Sequence, residues 1–439
     1  MMSNCAKSMI SIATVLHFLV DGLCVCALYL MVGTVDGADL LPLFLTYNIL
    51  AFMTQPLTGW WIDRCKCKHA ALLVAIGFLA LAVAFQVAVA SWWQFSPFQI
   101  IISAFLLGMG NSFFHVWGGK LTALVTGNDM RGLGIFVSSG VLGLTIGVLY
   151  ASWWLLAGLL LLLTILGAIV LHLPVAFAEG YVTDLRPLPS PGRKAIVWLL
   201  AILVFVLLRS FVGEVVSVGV EKSSAVLLLL AVTAMIGKAG GGWLARWCGI
   251  GRAIVACLGV TAACLMFRDA DRVPLLPVLL GVFAINCTMP MTLHLANRSL
   301  PLREGLAFGL LAAVLIPGNM LATGLQLSSD HIFMLSALLL TIAVEVGMLM
   351  LMGEKRKDVL IGAVAVNILT NVPLNYFLLT YGNSMERLIT GELLVLVAEA
   401  LWYFCFVRQW RKAAIYSLLC NATSFLVGIL IQIIIIYSL

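Results

Sequence analysis

The chain has 439 residues, of which 63% are hydrophobic and 10% charged, and its mean hydropathy is +1.12, whereas soluble domains run roughly 45–50% apolar and about 25% charged. That excludes a soluble enzyme, and since about 20 apolar helical residues cross a bilayer core, little chain is left for an aqueous domain. The net charge of +6 is spread as single, paired and tripled basic residues between apolar runs, which reads as a topology signal and not as a nucleic-acid surface.

Met1 to Lys7 carries one charge. The apolar run behind it holds Asp21, exceeds a signal-peptide core in length and lacks a small-residue cleavage site, so it is the first span. Spans near 8–33, 40–61, 70–92, 97–119, 132–151 and 153–173 form an N-terminal six-helix bundle over 1–175. A polar stretch with Glu179, Arg186, Pro187, Pro189, Pro191, Gly192 and Lys194 cannot continue a helix, and 176–194 reads as a cytoplasmic linker. Spans near 196–219, 223–245, 252–268, 274–297, 305–326 and 332–352 make a second six-helix bundle over 195–353, closed by Glu354-Lys355-Arg356-Lys357-Asp358. Three further runs near 359–381, 388–407 and 412–437 define an extra membrane module over 354–439. The expected fold is therefore all-α, with two six-helix bundles, a three-helix module and about 15 transmembrane helices.

With a cytoplasmic N-terminus, nearly all loop lysines and arginines fall on the cytoplasmic side, and only Lys222, Arg268, Arg272 and Arg387 fall opposite. This supports the orientation, and an odd span count places the C-terminus outside the cytoplasm. Eleven cysteines scattered through spans and basic loops suggest no disulfide framework.

The two halves resemble each other at a nearly constant offset. Gly59-Trp60-Trp61-Ile62-Asp63-Arg64 matches Gly241-Gly242-Trp243-Leu244-Ala245-Arg246, Asn111 matches Asn286, and Gly132-Leu133-Gly134 matches Gly305-Leu306-Ala307. A parallel repeat of six-helix bundles is the arrangement of the major facilitator superfamily. Gln55-Pro56-Leu57-Thr58-Gly59-Trp60-Trp61-Ile62-Asp63-Arg64 resembles that superfamily's loop motif between its second and third helices. Gly59 permits close helix approach, Asp63 can accept bonds from a neighbouring helix N-terminus, and Arg64, Lys66 and Lys68 hold the loop in the cytoplasm. The resemblance implies a conformational latch formed by Gly59, Asp63 and Arg64. With this segment, His17-Phe18-Leu19-Val20-Asp21 and Gly108-Met109-Gly110-Asn111-Ser112-Phe113-Phe114-His115 resemble the fosmidomycin resistance protein branch, which are proton-driven drug exporters. That branch follows its histidine with Pro-Glu, where this chain has Val116-Trp117.

Each ionisable group at membrane depth costs at least about 2.5–3.5 kcal/mol and asks for a partner and a reason. His17 and Asp21 are four apart on one helix face, and a histidine–carboxylate pair can store a proton near neutral pH. The expected coupling site is Asp21 with His17 and His115 converging on it; the bland reading is a hydrogen-bond network that only fixes helix packing. Arg209 has no acid one turn away in its own helix, so its counter-charge is Asp21, Glu345 or an anionic substrate. Arg209, His115, Glu214 and Asn111 are the expected substrate-binding set, with Glu214 near the outer end acting either as a gate or as a solvated acid. Lys238 is expected to snorkel to the cytoplasmic interface, as are His294 and Arg298. Gly140, Gly143 and Gly147 give span five a small-residue face, and Pro290 and Pro317-Gly318 interrupt spans ten and eleven.

Cys65, Cys67 and His69 have soft donors at close spacing, but a four-ligand site needs one more donor and the flanking lysines repel cations. No metal and no cofactor is assigned, and no phosphate loop, nucleophile elbow or zinc-protease run argues for an enzyme. In the extra module Asn367, Asn371 and Asn375 recur every fourth residue as a polar seam, and Glu392 and Glu399 share a helix face that must meet protein or water. The expected function is proton-coupled secondary transport in the inner or plasma membrane, by alternating access of the two halves, exporting a small amphipathic or anionic compound. The expected partners are that substrate, protons and the bilayer, with the protein a monomer and no nucleic acid bound. The alternative is a membrane receptor or scaffold on a transporter fold that uses the extra helices to bind a partner protein.

Overall fold

The computed structural model describes residues 4–32, 37–65, 69–90, 96–172, 191–267, 273–324, 329–381 and 385–438, and every regular element among them is helical. The first stretch contains α1 (Asn4–Val32), α2 (Gly37–Asn48), α3 (Gln55–Ile62), α4 (Ala70–Ala90), α5 (Pro97–Thr126), α6 (Met130–Ser138), α7 (Gly140–Leu149) and α8 (Trp153–His172). There follow α9 (Arg193–Ser217), α10 (Ser224–Cys248), α11 (Ile250–Met266), α12 (Leu275–Cys287), α13 (Met289–Ser299), α14 (Glu304–Ala313), α15 (Leu315–Gly324) and α16 (Ser329–Leu351). The chain closes with α17 (Lys357–Tyr381), α18 (Met385–Val407) and α19 (Trp410–Ser438). Most of the expected 176–194 linker, and Lys66, Cys67 and Lys68 of the basic loop, lie outside the described residues.

Among the described residues, thirteen stretches are long and apolar enough to cross a membrane, and Ile250–Met266 and Val359–Asn375 are shorter apolar helices. Each coincides with one of the runs expected from the sequence, so the protein is a multi-pass, all-helical membrane protein. Four crossings are broken, and proline accounts for three of the breaks. A π turn, Ile49–Met53, joins α2 to α3 where Pro56 has no N–H to give to Phe52. Pro290 and Pro317 likewise sit just past the α12–α13 and α14–α15 junctions. The fourth break, at Ser139 between α6 and α7, comes without a proline; the Ser139 hydroxyl donates to the Thr14 carbonyl, 2.6 Å away.

The described residues form two compact units. The first comprises Met1–Glu214, Glu221–Trp247 and Asn286–Leu325. Here α1 is enclosed by α5, α6, α7 and α8, while α13 packs on α6 and α14 packs on α3 and α5. α8 shows how its pattern decides its orientation: Leu156, Leu159, Leu163, Gly167 and Val170 recur at helical spacing and are buried, while Leu161, Leu162, Ile165 and Ile169 are exposed on the opposite face. Apolar exposure is what a helix facing lipid should show.

The second unit comprises Val215–Val220, Cys248–Ile285 and Gln326–Leu439. In it α16 packs against α11, α17 and α19, and α18 bridges α17 and α19. Its core includes Val346, Leu349, Val359, Val366, Tyr403 and Tyr416. The last three helices are thus built around α16, which the sequence assigned to the second six-helix bundle. The unit boundary falls inside that bundle because α13 packs on α6 and α14 on α3 and α5, while α16 finds its partners among α11, α17 and α19.

Candidate functional site

The site is assembled by α1, α5, α6 and α7 of the first unit. α5 begins with a capping box between Ser96 and Gln99 and ends at the left-handed Gly127, which fixes its register along α1. Asn111 and His115, one turn apart on α5, then lie beside His17 and Asp21 of α1. All four are almost fully buried.

Nε2 of His17 is 3.3 Å from Asp21 Oδ2, and Nε2 of His115 is 3.4 Å from Asp21 Oδ1. The two Nε2 atoms are 2.9 Å apart. Asn111 Nδ2 donates to Asp21 Oδ1 at 3.1 Å. Gly140 of α7 makes room for this packing: a Cβ there would meet the Asp21 carboxylate and stand 2.5 Å from His17 Nε2. The small-residue face expected from Gly140, Gly143 and Gly147 packs on α1, with Gly143 against Phe18 and Gly147 against Gly22.

The remaining ring nitrogens decide the chemistry. His17 Nδ1 faces the Phe136 carbonyl at 2.8 Å, and His115 Nδ1 faces the Asn111 carbonyl at 3.0 Å. A carbonyl only accepts, so each Nδ1 carries its ring hydrogen. In neutral imidazoles both Nε2 atoms are then bare lone pairs, aimed at each other and at a carboxylate. Three acceptors meet with no hydrogen between them. One added cation turns repulsion into bonding, and a proton on either Nε2 balances the Asp21 charge.

A divalent metal fits the same point, because one ligand atom from each of the three side chains lies within 4.8 Å of the others. Imidazoles that ligate metals commonly donate their other N–H to a carbonyl, as both do here. Asn111 Oδ1 is buried and has no hydrogen-bond partner among the described residues.

Asp63, at the end of α3, caps α14. Its Oδ1 accepts from the Gly305 amide at 3.0 Å and its Oδ2 from the Leu306 amide at 2.8 Å. Lys120 Nζ sits 3.1 Å from Oδ1 and also donates to the Ile62 carbonyl at 3.1 Å. Gly59 lies so close to Gly305 that a Cβ would collide with the Gly305 backbone. Arg64 is not brought to this carboxylate: it is stacked over Trp60 at 4.1 Å and donates to the Trp60 carbonyl at 3.0 Å. Lys120 directly follows the fourth expected span, 97–119, and so falls among the cytoplasmic loop lysines of the charge pattern, yet it is 2% exposed. Its place inside the apolar run Phe113 to Leu124 was the signal.

Arg209 of α9 is buried, its Nε has no partner, and it makes no ion pair among the described residues. Neither acid proposed for it is taken that way: Asp21 is held by the histidines, and Glu345 accepts from Asn367. Glu214 is half-buried and within electrostatic reach of Lys222. Lys238, expected at the interface, instead lies within electrostatic reach of Asp21, His115 and Arg209. It stands ten residues before the end of α10, about 15 Å along the axis and beyond easy snorkelling. His294, also expected at the interface, has its Nδ1 2.7 Å from the Asn128 carbonyl, and Asn297 donates to Asn128 Oδ1 at 2.9 Å. Asn128 presents these groups because it holds a left-handed backbone, φ 62°. Trp117, in the place of the branch's acid, is buried beside Phe114.

No family model matches the sequence, and no curated protein matches it. Solved structures do. The fucose:proton symporter of Escherichia coli superposes with a TM-score of 0.57 at 10% identity, covering 87% of this chain and 100% of that one. A bacterial homologue of the iron transporter ferroportin, in an outward-facing state, gives 0.50 at 16% identity over 76% of this chain and 97% of that one. The same homologue soaked with iron gives 0.50 at 16% identity over 79% and 99%. The chain therefore shares its fold with these transporters.

Proposed function

We propose that the protein is a proton-coupled secondary active transporter of the inner or plasma membrane, working by alternating access. One observation carries the reading: the facing Nε2 atoms of His17 and His115, 2.9 Å apart beside Asp21, form a point that binds one proton and is electrically unbalanced without it. The resemblance of Gln55 to Arg64, His17 to Asp21 and Gly108 to His115 to the fosmidomycin resistance branch supports export by antiport. Arg209 and the open Asn111 oxygen suit a small amphipathic or anionic substrate. The basic loops support a cytoplasmic N-terminus, and the Asp63 cap on α14 then closes the cytoplasmic ends.

The test is proton flux in liposomes. Asp21→Asn is expected to abolish proton-coupled transport in a protein that still folds, because the carboxylate that balances the bound proton is gone. Unchanged proton uptake by this variant overturns the reading.

In a second reading the triad takes a divalent transition metal as cargo, which the convergence of the two imidazoles and the carboxylate favours. Calorimetric titration with zinc separates the two. Saturable binding that His115→Ala removes supports the metal, and proton flux indifferent to zinc supports the proton.

A further inference from the structure

A second polar cluster lies inside the other compact unit, and it does not depend on the triad. Glu345 of α16 and Glu399 of α18 both have no exposed surface. Glu345 Oε2 accepts from Asn367 Nδ2 at 2.7 Å, and Oε1 is 3.4 Å from Ser424 Oγ. Glu399 Oε2 accepts from Asn421 Nδ2 at 2.5 Å, and Oε1 is 3.3 Å from Thr370 Oγ1. Asn371 Nδ2 donates to Asn367 Oδ1 at 3.0 Å and lies 3.4 Å from Thr370 Oγ1, so one chain of hydrogen-bonding groups joins the two carboxyls.

Each hydroxyl has a single hydrogen to give. That of Thr370 goes to the Val366 carbonyl at 2.8 Å, and that of Ser424 to the Asn421 carbonyl at 3.1 Å. Both are shorter than the corresponding contacts to the carboxyls. Each glutamate therefore turns one oxygen toward a hydroxyl lone pair, an arrangement that bonds only when the carboxyl itself supplies the hydrogen. The Tyr403 hydroxyl adds an independent sign: its residue is fully buried, it has no hydrogen-bond partner among the described residues, and it is within electrostatic reach of both Glu345 and Glu399.

The titratable groups acting on the pair are the two glutamates on each other, Glu392, Tyr403 and Cys420. The basic residues of α17, α18 and α19, namely Lys357, Arg387, Arg411 and Lys412, stand in first turns, as does Arg252 of α11 and the pair Asp330 and His331 of α16. Two buried carboxyls without a neighbouring base cannot both be ionised at ordinary cost.

We propose that Glu345 and Glu399, joined through Asn367, Asn371 and Thr370, are a second proton-binding site, built from α16 and the three last helices. Protons bind at Glu345 Oε1, pointing to Ser424, and at Glu399 Oε1, pointing to Thr370. Tyr403 is the spare donor that steadies a carboxylate when its proton leaves.

Dicyclohexylcarbodiimide tests this on the full-length protein in lipid nanodiscs, since a protonated carboxyl in apolar surroundings adds across its C=N bond and keeps the label. Peptide mass mapping is expected to find the label on Glu345 or Glu399 near neutral pH, falling about tenfold for each pH unit above the midpoint and unchanged when sodium replaces choline. No label on either residue at acid pH overturns the proposal. Protection by sodium also overturns it, making the cluster a metal-cation site. The labelled chain is the wild type, so the outcome does not hinge on a variant folding; Glu399→Gln is expected to confine the label to Glu345. Proton flux through Asp21 can fail while this labelling holds, and the reverse.

Discussion

Asp63 and Lys120 form an ion pair of 3.1 Å in which the side chains are 1% and 3% exposed, and the same carboxylate receives the first amides of α14. One acid thereby ties α3, α5 and α14 together. Removing one partner of a buried pair costs about 3–5 kcal/mol. Asp63→Asn is expected to lower the melting temperature by several degrees and to speed amide exchange at Gly305 and Leu306. Unchanged exchange at both amides would show that the cap carries no weight.

Gly140→Ala places a methyl group against the Asp21 carboxylate and His17 Nε2. Overpacking of this kind costs about 1–3 kcal/mol, and here the strain falls on the proposed coupling point. Transport is expected to drop far more than stability. Measuring initial flux and melting temperature on the same preparation checks this, and a variant with full flux refutes it.

Arg209 is a buried cation without an ion-pair partner among the described residues. Replacing such a charge with an apolar side chain of similar length relieves desolvation, so Arg209→Met is expected to be at least as thermostable as the wild type. Saturable binding of anionic substrates is expected to disappear. A less stable variant that still binds anions would place the residue in packing and not in recognition.

Glu354, in the turn after α16, gives a prediction in pH. Burial pushes its carboxyl up, but hydrogen bonds from the Arg356 side chain and amide and from the Tyr416 hydroxyl outweigh this and hold it at about 2. The bonds from the Arg356 amide and from Tyr416 are 3.0 and 2.9 Å. A carboxyl lowered in the folded state adds stability above its unfolded value, usually near 4.5, and loses it as the pH falls toward 2. Glu354→Gln is therefore expected to melt lower than the wild type at neutral pH, with the gap closing across that acid window. A gap independent of pH would refute the assignment.

The spans were legible because length and apolarity alone decide what crosses a bilayer, and the positions of Pro290 and Pro317 foretold where two of the crossings break; the break before Pro56 was not foreseen. The meeting of His17 with Asp21 followed from four-residue spacing, and their meeting with His115 followed from a resemblance. What sequence could not show was partnership across helices. Lys120 and Lys238 carry the same charge as any loop lysine, and only the folded chain reveals that one meets Asp63 and the other lies within electrostatic reach of Asp21. Gly140 likewise reads as a packing residue until the histidine and aspartate beside it are seen.

The donors around Glu345 are made late. Asn367 belongs to the next helix, and Ser424 to α19, which is synthesised later still. During translation α16 must enter the bilayer with a bare acid, a burden of about 2.5–3.5 kcal/mol near mid-membrane, borne by the leucines around it until α17 and α19 arrive. Deleting residues 358–439 therefore does not trim an appendage. It strands α16 at the stage of insertion, and quality-control proteolysis of the shortened chain is the outcome to look for before any loss of activity is read from it.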